Sequence, residues 1–134
     1  MKALFKNLAR SKEGAAALEF VLAAPIVILL MFGILQFGIM FLAKSGLEHA
    51  VETGARFATI YPRPSDTEIA DRVLASGYGM SADRISGPTL TRGTSPGGSP
   101  FVDITMTYTV TPNFVFFRLD PVQLQHTRRA YQAS

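Results

Sequence analysis

The sequence predicts an α+β fold, in which a long N-terminal helix is followed by a short helix and a small antiparallel β-sheet. Three observations predict it. An apolar run from Phe20 to Ala43 continues into residues with a helical repeat. A capping signature at Ser65 opens a second helix, and from Ile85 onward apolar and polar residues alternate. We expect four segments: a basic segment (1–14), a membrane-spanning helix (15–43), its amphipathic continuation (44–61) and a small exported α/β domain (62–134).

The apolar run is long enough to cross a membrane. It has no charged residue, and Gln36 is its one strongly polar member. At about 1.5 Å per residue the helix would be about 36 Å long, against about 30 Å for the hydrocarbon core of a bilayer. The alternatives are a buried helix, for which the remaining chain is too small and polar, and a cleaved secretory signal, whose apolar part is usually about 7–15 residues long. We therefore predict one transmembrane helix.

The charge distribution predicts the orientation of that helix. The net charge of +3 lies entirely within residues 1–14, and the charges of the remaining chain balance. Basic residues beside a membrane span are retained in the cytoplasm, so the N-terminus is expected inside and the C-terminal domain outside. The high isoelectric point thus reflects topology, and we expect no nucleic-acid partner. The chain has no cysteine, so no disulfide holds the exported part together.

Beyond Ala43 the helix is predicted to become amphipathic and to extend, in all, from about Ala15 to Ile60. Its apolar residues recur at helical spacing, opposite a wet side that carries Glu48, Glu52, Arg56 and His49. The apolar stripe consists of Leu47, Ala50, Val51, Gly54, Ala58 and Tyr61. Pro62 and Pro64 are expected to end the helix near Tyr61.

A second helix is predicted to begin at Ser65, because Ser65 and Glu68 have the spacing of a capping box. Its apolar face would contain Ile69, Ala70, Val73 and Leu74. It would run to about Ser76, where Gly77 and Gly79 are expected to supply the positive φ that ends a helix. The carboxylates of Asp66, Glu68 and Asp71 are compatible with a cation site, but we favour a helix start, where the helix dipole stabilises negative charge.

Three strands are predicted in the remainder of the domain. The first, Ile85–Thr91, is weak and contains glycine and proline, which places it at an edge of the sheet. The second, Phe101–Val110, alternates strictly between apolar and polar residues, as a half-buried strand does. A last strand is expected from Val122 to about Tyr131. The segment Gly93–Pro100 is predicted to be a loop.

The sequence resembles a known family at the start of the apolar run. Gly14 is followed by small and apolar residues, then by Glu19 and Phe20 and the long apolar helix. This arrangement resembles the prepilin processing motif of type IV pilin-like proteins, specifically the Flp branch assembled by the tight-adherence (Tad) system. The similarity covers about the first 60 residues and is to the TadE-like pseudopilins. It extends over Pro25, Phe32-Gly33, Gln36-Phe37-Gly38 and Glu52–Ala58.

The resemblance implies a pilin-like fold and a minor pilin or pseudopilin of the bacterial inner membrane. It implies that prepilin peptidase cuts between Gly14 and Ala15, which removes the basic leader and leaves a new ammonium four residues before Glu19. The implied partners are inner-membrane lipid, the peptidase and other Tad subunits, namely the major Flp pilin, a companion pseudopilin and the inner-membrane platform. Gln36 stands where relatives often carry an acidic residue.

Other readings of these residues remain open. Glu19 fits an interfacial, solvated carboxylate as well as an assembly contact. Pro25 fits a simple helix kink, and Gly54-Ala55 fits close helix packing. The segment Phe114-Val115-Phe116-Phe117 fits either a partner surface or burial under the sheet.

The alternative function is an unprocessed single-pass adaptor with an extracytoplasmic domain. We find no catalytic motif, expect no cofactor or metal site, and predict that the chain is not an enzyme. His126 is expected on the surface of the last strand.

Overall fold

The computed structural model describes residues 12–114 and 119–132 of the chain. Within these residues it has two α-helices, a 3₁₀ turn and three strands, which confirms the predicted α+β fold. The elements are α1 (Lys12–Phe57), α2 (Asp66–Ser76), the 3₁₀ turn (Ala82–Arg84), β1 (Ile85–Thr94), β2 (Pro100–Val110) and β3 (Val122–Tyr131).

Helix α1 is continuous through Pro25 and buries the predicted stripe, except at its end. Leu47, Ala50 and Val51 are fully buried, whereas Tyr61 is 86% exposed, so its place in the stripe was wrong. The helix ends at Phe57, earlier than predicted. Beyond it the amides of Thr59 and Ile60 bond to carbonyls three residues back, and the Thr59 hydroxyl donates to the Arg56 carbonyl at 2.7 Å. This tighter turn rotates Tyr61 away from the core.

Helix α2 begins with the predicted capping box. The Glu68 amide donates to Ser65 Oγ, and the Ser65 amide donates to Glu68 Oε2 at 2.8 Å. The prediction for Gly77 was wrong, because its φ is −72°; Gly79 has the expected positive φ of 65°. A Cβ on Gly77 would lie 2.8 Å from Met80 Cε, the end of a flexible side chain that can move aside at little cost. Leu74, assigned to the apolar face, is exposed.

The three strands form an antiparallel sheet in the order β1-β2-β3, which places β1 at an edge as predicted. Its ladder is irregular between Ser86 and Thr89, where Gly87 has a φ of 96°. The predicted loop from Gly93 is shorter than expected, because β1 extends to Thr94 and β2 begins at Pro100. The Ser95 amide donates to the Ser99 carbonyl, so a tight turn joins the paired strands.

The core lies between the sheet and one face of each helix. The strict alternation of β2 is confirmed, and its buried side chains pack with those of α1 and α2. The buried core residues of β2 are Val102, Ile104, Met106, Tyr108 and Val110, and those of α2 are Ile69 and Val73. Gly54 allows the close approach of the helices, since a Cβ there would lie 2.2 Å from Val73 Cγ2. The domain is thus assembled on the C-terminal third of α1.

Candidate functional site

The residues of the proposed processing motif lie on the first turns of α1. The Gly14–Ala15 bond is within the helix, and Ala15, Glu19 and Phe20 are exposed. Ala15 and Glu19 are separated by one helical turn, a spacing at which side chains are neighbours. The motif therefore forms one accessible surface at the start of the apolar helix.

The apolar part of α1 is exposed around most of its circumference. Gly14–Phe57 is long and apolar enough to cross a membrane, and the most apolar stretch of it is only 6% buried. This low burial separates it from the core helix of a soluble domain, which is mostly covered by its own chain. The large exposed side chains include Phe20, Leu22, Ile26, Leu30, Ile34, Phe37 and Phe41. Lipid acyl chains are a favourable environment for such an apolar surface.

One stripe of this apolar helix is in contact with the C-terminal α/β domain. Gly33, Gln36 and Met40 are half-buried, in line with buried Ala43 and Leu47. The Gln36 side-chain amide donates to the Asn113 carbonyl at 2.8 Å, and a Cβ on Gly33 would meet Phe114 Cε1 at 4.0 Å. Asn113 and Phe114, which follow β2, therefore lie along the helix within the apolar run.

This contact gives Gln36 a role that the sequence analysis did not predict. The signal was a single amide within an otherwise apolar run, but nothing in the sequence indicated its acceptor. Val115, Phe116 and Phe117 lie outside the described residues. Phe114 is half-buried beside the helix.

A polar seam joins α1 to β3 above the apolar run. Lys44 Nζ lies 3.1 Å from Glu48 Oε1 and donates to the Gln125 carbonyl at 3.3 Å. One turn further along, Glu52 Oε1 lies 3.3 Å from Arg128 Nε. Lys44 is the first charged residue after the apolar run. The seam therefore begins where the side chains of α1 change from apolar to amphipathic.

His126 belongs to this seam, which corrects its prediction as a surface residue. Its side chain is 25% exposed, and its Nε2 lies 3.8 Å from Glu52 Oε1, too far for a hydrogen bond. The strand register places it opposite Met106, beside α1 rather than in open solvent. His49, the other histidine, packs against the Tyr78 ring.

A second polar network ties together the ends of several elements. Arg92 Nε donates to Asp66 Oδ1 at 2.7 Å, and Arg92 Nη1 donates to Gln132 Oε1 at 2.7 Å. Buried Gln132 in turn donates to the Ala58 carbonyl. Asp66 is thus an ion-pair partner at the start of α2. Within the described ranges no group of three or more His, Cys, Asp or Glu could hold a metal ion.

Two carboxylates of the C-terminal α/β domain are stabilised in their charged form. Hydrogen bonds from the Ser65 amide and hydroxyl lower the pKa of Glu68. The Arg129 guanidinium donates two bonds of 2.7 Å to Asp103 and lowers its pKa, and the same pair raises the pKa of Arg129. Arg129 also covers the Phe101 ring at 3.8 Å. These groups hold the domain together and form no catalytic arrangement of acid, base and nucleophile.

Comparison with known proteins identifies the helical segment. Residues 14–56 match the family model of TadE-like protein. No curated protein and no solved structure matches the chain. The matched range begins at Gly14, runs through the lipid-suited helix and stops at Arg56, one residue before α1 ends. The resemblance stated from the sequence is thereby confirmed over this segment: the long helix of this protein is similar to that of TadE-like proteins.

Proposed function

We propose that this chain is a minor pilin or pseudopilin of the Tad (Flp) pilus machinery. It acts in pilus initiation or assembly at the bacterial inner membrane, as a structural component rather than an enzyme. One observation carries the proposal: the TadE-like match begins at Gly14 and covers the exposed Glu19-Phe20 pair and the lipid-suited helix. The orientation follows from the basic N-terminal residues, which keep the N-terminus cytoplasmic and export the α/β domain.

Processing by prepilin peptidase between Gly14 and Ala15 is the first step of the proposed function. The bond lies in the first turn of α1, so a protease must unwind that turn to bind it in an extended form. Glycine favours this, because it weakens a helix by about 0.5–1 kcal/mol relative to alanine and brings no Cβ into the cleft. Cleavage also removes the whole net positive charge of the chain.

Cleavage creates the group that Glu19 needs for assembly. The new Ala15 ammonium lies one turn from the Glu19 carboxylate, which is exposed and free to meet a neighbouring subunit. Between packed helices the low dielectric strengthens such a charge pair, and a misplaced subunit would leave a charge uncompensated. The pair therefore sets the register between this chain and other pilus subunits, while the apolar helix supplies the contact area.

Mass spectrometry of the membrane-extracted protein tests the processing step. A chain cut by the peptidase begins at Ala15, and a Gly14→Val variant keeps residues 1–14 because its side chain obstructs the cleft. Gly38→Ala is the control, since a Cβ at Gly38 meets nothing within 4 Å. An intact N-terminus in wild-type cells with an active pilus would instead favour the unprocessed adaptor.

A Glu19→Gln variant tests the assembly step. It removes the charge but keeps the shape, so membrane insertion and cleavage should be normal while the number of pili per cell falls severely. Glu48→Gln makes the same change on the exported part of α1 and should leave piliation nearly unchanged. Normal piliation with Glu19→Gln would refute the register contact.

A further inference from the structure

The exported domain lies alongside α1 in a fixed direction. Gln132 bonds to Ala58, Arg128 faces Glu52, Lys44 bonds to Gln125, and Gln36 bonds to Asn113. These contacts follow the helix steadily toward its N-terminus. The segment that follows β2, at Asn113–Phe114, is therefore the described end of the domain nearest the membrane, and the β1–β2 turn is the far end.

The membrane-proximal end extends well past Lys44, the first charged residue after the apolar run. From Lys44 to Gln36 the helix rises about 12 Å, at about 1.5 Å per residue. At this same level the other faces of α1 expose large apolar side chains, which include Ile34, Leu35, Phe37, Ile39, Phe41 and Leu42. Contact of all these side chains with water would be strongly unfavourable, so the apolar layer reaches beyond Gln36 to about Leu42.

The described residues at the two ends of the β2–β3 connection have the properties expected at that depth in the apolar layer. Phe114 is half-buried beside Gly33, and Leu119 exposes about half of its side chain, 48%. Irregular backbone inside a bilayer requires its polar groups to be paired. The Asn113 carbonyl is paired with the Gln36 amide, and the Leu119 amide donates to the Pro112 carbonyl at 3.4 Å.

We propose that the described ends of the β2–β3 connection, Asn113–Phe114 on one side and Leu119 on the other, insert into the outer leaflet of the bilayer that α1 spans. Gln36 is the positioning residue that anchors the inserted backbone to the helix. The occupant of this surface is lipid acyl chain rather than a second protein. The inference rests on α1 spanning a membrane but not on processing or pilus assembly. It gives the exported domain a second membrane attachment, which restricts its rotation about α1.

Depth-dependent fluorescence quenching tests the insertion. The chain has no native cysteine, so single cysteines can be labelled with bimane in the full-length protein reconstituted in phosphatidylcholine vesicles. The informative site is Leu119→Cys. Phe37→Cys reports the lipid-facing side of α1 at the depth of Gln36, and Gly97→Cys reports the β1–β2 turn at the far end.

The expected result is loss of fluorescence at positions 119 and 37 with doxyl-labelled lipid, and at position 97 with aqueous iodide. Quenching of position 119 by iodide alone, while position 37 is quenched by lipid, would overturn the insertion and leave the membrane span intact. Quenching of both positions by iodide alone would show that α1 does not span, which overturns the basis of both proposals.

A Gln36→Leu change tests the anchor separately. It replaces the amide donor by an apolar side chain of similar size, so α1 should still span and position 37 should keep its quenching. Position 119 should lose lipid quenching and gain iodide quenching, because the unpaired Asn113 carbonyl leaves the apolar layer. Unchanged quenching at position 119 would overturn the role of Gln36.

Discussion

The two parts of α1 differ in composition and in surroundings. Residues 15–42 are almost entirely apolar and exposed on most sides, whereas residues 43–58 combine apolar with charged residues and bury one face completely against α2 and the sheet. In the lipid that we propose surrounds the first part, apolar character is sufficient, because lipid adapts to its shape. The second part must match the shape of its neighbours, because a folded interior is close-packed. Equivalent substitutions in the two parts should therefore have unequal effects on the stability of the α/β domain that we propose is exported.

The largest difference is expected between leucines. Leu47 is fully buried, so Leu47→Ala should lower the free energy of unfolding of the exported domain by about 2–5 kcal/mol. Leu30 is 63% exposed, and Leu30→Ala should leave that free energy nearly unchanged. Pulse proteolysis across a urea series, on protein in detergent micelles, measures both. Equal losses of unfolding free energy would show that the two parts of α1 do not differ in how closely they pack against the domain.

A smaller but sharper difference is expected between two glycines of the same helix. A Cβ on Gly46 would overlap the backbone carbonyl oxygen of Tyr78, so the backbone of one of the two segments would have to move. Gly46→Ala should therefore destabilise the domain by about 1–3 kcal/mol or more, as overpacking does. Gly38→Ala has open space and should be neutral or slightly stabilising. If Gly46→Ala is as stable as the wild type in the same proteolysis measurement, Tyr78 lies further from α1 than the structure shows.

The smallest effect is expected from pH and salt, and it should be confined to the exported domain. Asp103 has a pKa below its ordinary value of 3.8, because Arg129 binds its charged form. A carboxyl with a lowered pKa in the folded state contributes stability above its unfolded pKa and loses it as the pH falls through the folded pKa. Wild type should thus exceed Asp103→Asn in stability at neutral pH, and the difference should fade below about pH 3.8 and in high salt.

Asp71→Asn is the matched control for this measurement. Asp71 is exposed on α2, and no ion pair is formed by it in the described part of the chain. Its substitution should give no comparable pH-dependent difference in urea midpoints. A difference for Asp103→Asn that persists unchanged to pH 2 would show that the contact with Arg129 is not electrostatic.

Much of the fold was predictable because it depends on local patterns. The alternation of Phe101–Val110, the capping box at Ser65 and the last strand from Val122 to Tyr131 all agree with the structure. The misses also have local causes. Helix α1 ends at Phe57, beyond which the Thr59 and Ile60 amides bond to carbonyls three residues back, and Gly77 ends α2 in an extended conformation with a φ of −72°.

The candidate site was predictable in part. The TadE-like segment was recognisable from Gly14, Glu19-Phe20 and the apolar run, since these are adjacent in sequence. The contact between Gln36 and Asn113 joins residues 77 positions apart, and a single sequence contains no information about such a pairing. The same holds for His126, whose position beside Glu52 depends on how β3 packs against α1.

The sequence by itself determined the length of the apolar helix, the location of its charges and the order of helices and strands. These follow from composition and spacing, which act over a few residues along the chain. Only the tertiary structure decided that the β2–β3 connection lies against α1 at Gln36, inside the apolar run. That position results from the direction in which the sheet packs on the helix, and packing direction is a property of surfaces that meet only in the folded protein.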